Sequence, residues 1–409
     1  MRTKVDAAAV ALTADKADAG FVEPSVRADA VAAGARLKPL VALIGWRGMV
    51  GSVLMKRMHA EGDFDHFRTR FFSSSNAGGP APAGDLALAD AADLKSLSEC
   101  EVVLSCQGGD YTQSTHAALR ALGWEGFWID AASTLRMQDD AIVVLDPLNR
   151  ELIDEGLERG IKDYIGGNCT VSLMMMALSG LLREDLVDWI SAMTYQSASG
   201  AGAQNMRELI AQMGYVHQES AALLADEQSS ILDLDARVAA SLRSPGLPTQ
   251  HFAAALAGSL IPWIDKDLGN GLSKEEWKGD AECNKILGRP AQGPGRIPVE
   301  SICVRVGAMR CHSQALTIKL KRDLPLAEIE SLIAAGNPWV RLVPNTREHS
   351  IRSLCPAAVS GTLDIAIGRL RKLSFGGDYL SAFTVADQLL WGAAEPLRRM
   401  LRIVLPRLR

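Results

Sequence analysis

The sequence predicts an α/β fold in two parts: a doubly wound parallel sheet, then an α+β region built on a mixed sheet. Three observations carry that expectation. In the first part, short apolar runs alternate with helix-like stretches, and each run ends at small polar residues. A glycine-rich segment joins the first run to the first helix. Beyond Gly166-Gly167 the texture changes, and Ile302–Arg310 and Gln314–Leu320 alternate as strands of a mixed or antiparallel sheet do. With 409 residues, 48% of them hydrophobic, the chain has the length and the apolar content for two cores.

Leu40–Ile44 reads as the first strand, and Gly51–Met58 follows with helical spacing. Phe71-Phe72 leads into Ser73-Ser74-Ser75-Asn76, Val102–Ser105 into Cys106-Gln107-Gly108-Gly109, and Phe127–Asp130 into Ala131-Ala132-Ser133. In such a sheet the ligand loops lie at the carboxyl ends of the strands. Further on, Val171–Leu182 reads as a buried helix, Trp189–Tyr195 as a strand, and Met206–Leu224 as a helix. Lys285–Arg296, rich in Gly and Pro, reads as a loop, and Thr384–Leu405 as a final amphipathic helix.

Composition excludes several classes. The apolar content is too high for a disordered chain, and 36 Gly with 17 Pro fall short of a low-complexity tract. A net charge of −5 leaves no basic excess for nucleic acid, and 5% aromatics offers little surface for stacking bases. The seven cysteines are odd in number and include no CxxC, which argues against a disulfide framework and for a reducing cytoplasm. No His/Cys spacing suits a metal. Residues 1–38 lack the apolar core of a signal peptide and are too acidic for a transit peptide, so a disordered extension is expected there. The longest uncharged run, Tyr164–Leu182, carries Gly166, Gly167 and Asn168 in its first half and suits a strand, loop and helix better than a membrane span.

Gly45-Trp-Arg-Gly48-Met-Val-Gly51 places glycines at i, i+3 and i+6 between a strand and a helix. Gly45 permits a tight turn, Gly48 lets the backbone approach a pyrophosphate, and Gly51 allows close helix–strand packing. This is a Rossmann-like dinucleotide signature, although a plain Gly-rich turn would read the same way. An NAD site usually carries an acid after the second strand to hold the ribose 2′-OH. Here Ser73 and Ser74 stand in that place, and Arg47 can pair with a 2′-phosphate, which favours NADP.

Gly166-Gly-Asn168-Cys169-Thr170 precedes an apolar helix, which puts Cys169 at a helix N-terminus, where N–H groups and the helix dipole favour a thiolate. Of the seven histidines, His312 stands out as the partner base, at the end of a strand-like run. Glu282 and Lys285, three residues apart, are either an ordinary surface pair or contacts to an ammonium and an anion. Arg136 and Arg305 are likewise either surface charges or anion clamps.

Taken together, these motifs resemble the aspartate-β-semialdehyde dehydrogenases of the Gram-negative bacterial type. The resemblance rests on Gly45–Gly51, Ser105–Tyr111, Ile129–Ser133, Gly166–Thr170, Tyr195-Gln196, Arg305–Ser313 and Leu390–Pro396, and runs from about Lys38 to the C-terminal helix. It implies NADP-dependent interconversion of L-aspartate-4-semialdehyde plus phosphate with 4-phospho-L-aspartate, on the route to diaminopimelate, lysine, methionine, threonine and isoleucine. By motif it implies Cys169 as nucleophile, His312 as acid/base and Gln196 as the residue that orients the intermediate. Arg305 would hold the substrate carboxylate and Glu282 its amino group, while Arg136, Asn168 and Lys285 would bind phosphate. Met49, Val50, Gln107, Ser199, Gly200 and Gln388 would join Gly45, Arg47, Gly48, Gly51, Ser73 and Ser74 around the cofactor. The implied layout is an NADP-binding domain of 39–164 plus 385–409 and a catalytic and dimerisation domain of 165–384, assembled as a cytoplasmic homodimer.

Three alternatives stand beside this reading. A thiol hydrolase would have no use for the glycine loop, and the CGSCW-type signature is absent. A cysteine-dependent reductase of an N-acetylated acyl phosphate would not need an acid for a free ammonium group. A non-catalytic NADP-binding regulator would lack the Cys/His pair.

Overall fold

The computed structural model describes residues 37–82 and 87–408; the expectation for the 1–38 extension therefore lies outside the described residues, apart from Leu37 and Lys38. The first sheet has seven strands: β1 Leu40–Ile44, β2 Arg68–Ser73, β3 Ala89–Asp90, β4 Val102–Ser105, β5 Phe127–Asp130, β6 Ala141–Val144 and β7 Asp163–Gly166. Their order is β3-β2-β1-β4-β5-β7-β6, and every pairing is parallel. β1, β4, β5, β6 and β7 are buried along their whole length. That is why they read as unbroken apolar runs: a parallel sheet is covered on both faces.

The second sheet also has seven strands: β8 Val187–Gln196, β9 Leu260–Ile261, β10 Val299–Val306, β11 Cys311–Leu320, β12 Val340–Leu342, β13 Ile365–Leu373 and β14 Gly376–Asp387. The order is β12-β13-β14-β11-β8-β10-β9, with β8 parallel to β10 and antiparallel to β11, so the sheet is mixed as expected. Along β8 and β11, Ile190, Ala192, Leu316 and Ile318 face inward into the largest core cluster. Trp189, Met193, Tyr195, Ala315 and Thr317 alternate onto the other face, where they are only half-buried or exposed.

The helix Cys169–Ala177 lies between the two sheets. Eight of its nine residues are buried, so it needs no polar face, and its methionines pack into the same cluster as Val143, Ile190 and Ile318. It stops at Leu178, and a short helix, Ser179–Arg183, follows, where the sequence suggested one continuous helix. His312 sits second in β11, at the start of a strand, whereas the sequence placed it at the end of one. The loop after Lys285 starts two residues later than expected, because the helix Lys274–Ile286 takes in Lys285 and Ile286.

The C-terminal segment also departs from expectation. Residues 384–387 belong to β14, where all four are buried and the strand pairs with β11 and β13. A π-turn, Leu390–Ala394, follows, and the helix begins only at Glu395, with Pro396 in its first turn. That helix, Glu395–Val404, returns to the first sheet: Leu397, Met400, Leu401 and Val404 share a core cluster with Val41, Leu43, Leu104 and Ile129. Truncating one such leucine to alanine costs about 2–5 kcal/mol.

Candidate active site

Carboxyl ends of the parallel strands converge where chemistry is expected in an open α/β sheet. β1 runs into Gly45, whose φ of +70° makes the turn. A Cβ on Gly51 would lie 2.2 Å from the Gly45 carbonyl oxygen, so glycine is required for the helix Met49–Ala60 to start this close to the strand. Beside this loop is a groove of about 320 Å³ lined by Gly45, Trp46, Arg47, Gly48, Phe72, Ser73, Ser74, Ser75 and Gln107. Arg47 Nη2 donates to Ser73 Oγ over 2.7 Å and to Ser75 Oγ over 3.3 Å, and Gln107 Nε2 donates to Ser74 Oγ over 3.1 Å. No carboxylate lines the groove among the described residues. Met49, Val50 and Gly51 form the first turn of the helix behind it.

A second cleft, of about 450 Å³, opens between the two sheets. Asn168 caps the helix Cys169–Ala177, its Oδ1 accepting from the Thr170 and Val171 N–H groups, so Cys169 takes the first helical position. The Cys169 Sγ lies 3.2 Å from His312 Nε2. β8 and β10 end side by side, with Gln196 opposite Arg305 in register, and both side chains line the cleft. Gly392, in the π-turn, closes the other side of the cysteine; a Cβ there would stand 2.8 Å from the Cys169 Cβ. π-turns recur at functional sites because they shift one residue out of the helical ladder.

Electrostatics in the cleft set the resting state. Burial, reinforced by the nearby Glu275 carboxylate, pushes the Cys169 thiol up to about 12, against the opposing pull of Arg305, Lys278 and the Thr170 N–H. Burial and then the Arg305 cation push the His312 imidazolium down to about 3. Both partners are therefore uncharged at neutral pH. The sequence led us to expect a helix-stabilised thiolate; here burial outweighs the helix dipole.

Arg136 lines the cleft but is itself held: Nε donates to the Gly166 carbonyl over 2.8 Å and Nη1 to Glu282 over 2.8 Å. Arg305 donates to the Ser197 carbonyl over 2.8 Å and has no carboxylate partner among the described residues. Lys278 reaches Asp265 at 2.7 Å and Glu275 at 3.0 Å. Burial acts to lower its ammonium, but these two carboxylates outweigh that and hold it charged. Burial also acts to raise Glu275, yet Lys278 with the Asn168 and Gln196 amides outweighs it and keeps the carboxyl below its ordinary range. Asp265 holds its side of the cleft with a left-handed φ of +70°, a strained geometry of the kind that gathers at functional sites.

Two expected substrate contacts lie elsewhere. Glu282 is 1% exposed and spends both oxygens on protein, accepting from Arg136 Nη1 and from the Asn168 N–H over 2.7 Å. It is thus committed to holding protein groups, and it does not line the cleft. Lys285 donates to the Gln138 carbonyl and lines a separate cavity with Met137, Asp139 and Arg289. Glu275 and Lys278 occupy the cleft instead, and sequence reasoning missed them. The signal was present, since Glu275-x-x-Lys278 repeats the Glu282-x-x-Lys285 spacing one heptad earlier on the same helix. Gly200 and Gln388 line the cleft, whereas Ser199 is buried behind it, accepting from Gln388 Nε2 over 2.7 Å.

Comparison with known proteins gives this geometry a family. Residues 40–156 match the NAD binding domain of semialdehyde dehydrogenase, and residues 178–391 match the semialdehyde dehydrogenase dimerisation domain. The fold and the matched domains thus define an oxidoreductase of aldehydes with a nicotinamide-dinucleotide domain. The structure of aspartate semialdehyde dehydrogenase from Francisella tularensis is 47% identical, covers 90% of this chain and 99% of its own, and superposes with a TM-score of 0.85. The chain belongs to the semialdehyde dehydrogenase family, and within it to the aspartate semialdehyde dehydrogenases. Two more distant structures share the fold. One is aspartate semialdehyde dehydrogenase II from Vibrio cholerae complexed with ASA (22% identity, 91% of this chain, 99% of that one, TM-score 0.72). The other is the Candida albicans enzyme with NADP (16% identity, 90% and 98%, TM-score 0.59).

Proposed function

We propose that the chain works as an NADP-dependent, phosphorylating aldehyde dehydrogenase through a thioester on Cys169. The observation that carries this reading is the 3.2 Å contact of Cys169 Sγ with His312, in a cleft whose Arg305 has no carboxylate partner among the described residues. Arg47 among the serines of a carboxylate-free groove suits a 2′-phosphate, which favours NADP over NAD. Bound NADPH supplies the hydride for reduction, and NADP accepts it in the reverse direction.

Arg305 binds the α-carboxylate of 4-phospho-L-aspartate, and Glu275 accepts hydrogen bonds from its ammonium group. Arg136, Asn168 and Lys278 bind the phosphate. These charges orient the acyl carbon over Cys169 and offset the negative charge of the phosphate. Cys169 gives its proton to His312 as Sγ attacks the acyl carbon, and phosphate leaves with the bonding electrons. Gln196 orients the thioester. His312 then returns a proton to the thioester oxygen as the carbon is reduced, and takes it back when the hemithioacetal collapses to free aldehyde.

Within this reading the nucleotide domain is formed by the part before the catalytic cysteine together with the C-terminal helix, and the catalytic domain lies between them. The half-open face of the second sheet, carrying Met193, Tyr195 and Ile302, is where a second copy binds to make a homodimer. Ile302, 51% exposed, stands beside Met193 in register on that face, an apolar patch of the kind that marks a subunit interface. Light scattering should give twice 43.9 kDa for the wild type and one protomer for Ile302→Glu.

The decisive assay supplies aspartate semialdehyde, phosphate and NADP and follows NADPH absorbance. Wild type should produce NADPH, and Cys169→Ala should produce none. A silent wild type, or an active Cys169→Ala, would overturn the reading.

A further inference from the structure

His312 is held from behind by a residue that the reaction scheme does not use. The Ser197 N–H donates to His312 Nδ1 over 3.0 Å, and the Ser197 hydroxyl oxygen lies 3.0 Å from the same nitrogen. A backbone N–H can only donate. Alone, it would fix a bare Nδ1 and so an uncharged ring whose proton sits on Nε2, facing Cys169. An imidazolium carries a proton on Nδ1 as well and needs an acceptor there. Among the described residues, the Ser197 hydroxyl is the one group bonded to Nδ1 that can switch from donor to acceptor.

Behind it the chain continues. Ser197 Oγ lies 3.0 Å from Ser199 Oγ, which in turn donates to the Arg310 carbonyl over 3.2 Å and accepts from Gln388. With the ring uncharged, the Ser197 hydroxyl donates to Nδ1. With the ring charged, Nδ1–H donates to Ser197, Ser197 to Ser199, and Ser199 to a carbonyl that only accepts. The two hydroxyls thus keep partners in both states, although Ser197 and Ser199 are almost fully buried; the Ser197 N–H keeps its acceptor only while the ring is uncharged, so the hydroxyl is the group that offsets the charged ring.

We infer that Ser197 is a positioning residue whose hydroxyl rotates between donor and acceptor, allowing His312 to alternate between base and acid. The inference rests on the acid/base role proposed for His312. Other groups around the ring explain why the acceptor matters. Arg305 on β10 opposes a second positive charge, and Cys169 faces Nε2 from its helix. Glu275 reaches towards Cys169 from the helix Lys274–Ile286. Asp387 on β14 is taken up by Arg310, 2.5 Å away.

The test compares Ser197→Ala and Ser197→Thr with wild type by two measurements. One is the pH profile of kcat for NADPH-driven reduction of the acyl phosphate. The other is iodoacetamide alkylation of Cys169 against pH, read by peptide mapping, which needs no substrate. In Ser197→Ala the charged ring loses its acceptor, so the limb reporting His312 should move about one unit to lower pH. At neutral pH, kcat and the alkylation rate should each fall about tenfold, with both KM values within about twofold. Ser197→Thr should restore both profiles. Wild-type profiles in Ser197→Ala would overturn the inference, and so would a Thr variant of unchanged melting temperature that behaves like Ala. If the wild type is silent with this substrate while the alkylation shift still appears, the functional reading fails and the role of Ser197 stands.

Discussion

The helix Lys274–Ile286 carries two acid–base pairs of identical spacing, Glu275 with Lys278 and Glu282 with Lys285. Seven residues separate them, so they lie on nearly the same side of the helix but about 10 Å apart along its axis. That height decides their work. The first pair meets Asn168, Gln196 and Asp265 at the cleft. The second lies beneath it, where Glu282 locks Arg136 and the Asn168 backbone and Lys285 caps the Gln138 carbonyl. In the proposed reaction the first pair offers charge to the ligand, whereas Glu282 of the second holds Arg136 and Asn168. Face and chemistry alone cannot separate the two roles; distance along the axis can.

The largest expected effect falls on the supporting pair. Glu282→Ala leaves Arg136 buried and unpaired, which should destabilise the fold by about 3–5 kcal/mol in denaturant unfolding. An unchanged stability with a raised KM alone would make Glu282 a ligand after all and erase the contrast. Next comes Lys278→Met, expected to lower kcat/KM about tenfold to hundredfold in protein that remains folded, beside a loss of melting temperature because Glu275 is left buried without its cation. A loss confined to stability would move Lys278 into the supporting class.

Glu275→Gln sharpens the contrast through pH. Because the thiol is pushed up to about 12, free thiolate should add to the His312-assisted route and make wild-type alkylation of Cys169 climb with pH in the alkaline range. Removing the Glu275 charge lowers the thiol, so the curve should shift towards lower pH; a shift the other way would contradict the assigned electrostatics. Smallest of all is Lys285→Met, predicted to change kcat, KM and melting temperature little, within about twofold in the kinetic terms, as befits a partly exposed hydrogen bond. A loss of phosphate affinity there would return Lys285 to the site.

Much of this layout was legible in the sequence wherever function had shaped a local pattern. Gly45 and Gly51 announced the first turn because their conformation and packing permit no other residue. Cys169 was legible because a capped helix start leaves a recognisable Gly-Gly-Asn-Cys-Thr string, and His312 because its flanking residues belong to a family motif. What stayed hidden depended on contacts between distant segments. Choosing Glu275 over Glu282 requires knowing where Asn168 sits on the helix axis. The neutral resting state of Cys169 and His312 depends on burial by residues far away in sequence. Ser197 reads as an ordinary small residue until the turn after β8 is seen folded behind the imidazole. The error at the C-terminus had a similar cause: Thr384–Asp387, buried along its whole length in β14, shows no alternation that would separate it from the helix that begins only after the π-turn.

The return of the last helix to the first sheet has a consequence for how the protein is made. Leu397, Met400, Leu401 and Val404 complete a core that opens with Val41, and Gly392 completes the wall around Cys169. These residues are synthesised after every strand of both sheets. Until the ribosome reaches them, the nascent chain carries an uncovered apolar sheet face and an unfinished pocket, the kind of intermediate that invites chaperones or aggregation. A message interrupted even a few codons short of Gly392 should therefore yield no partly active enzyme, since the same missing tail removes the cover of one domain and the wall of the other.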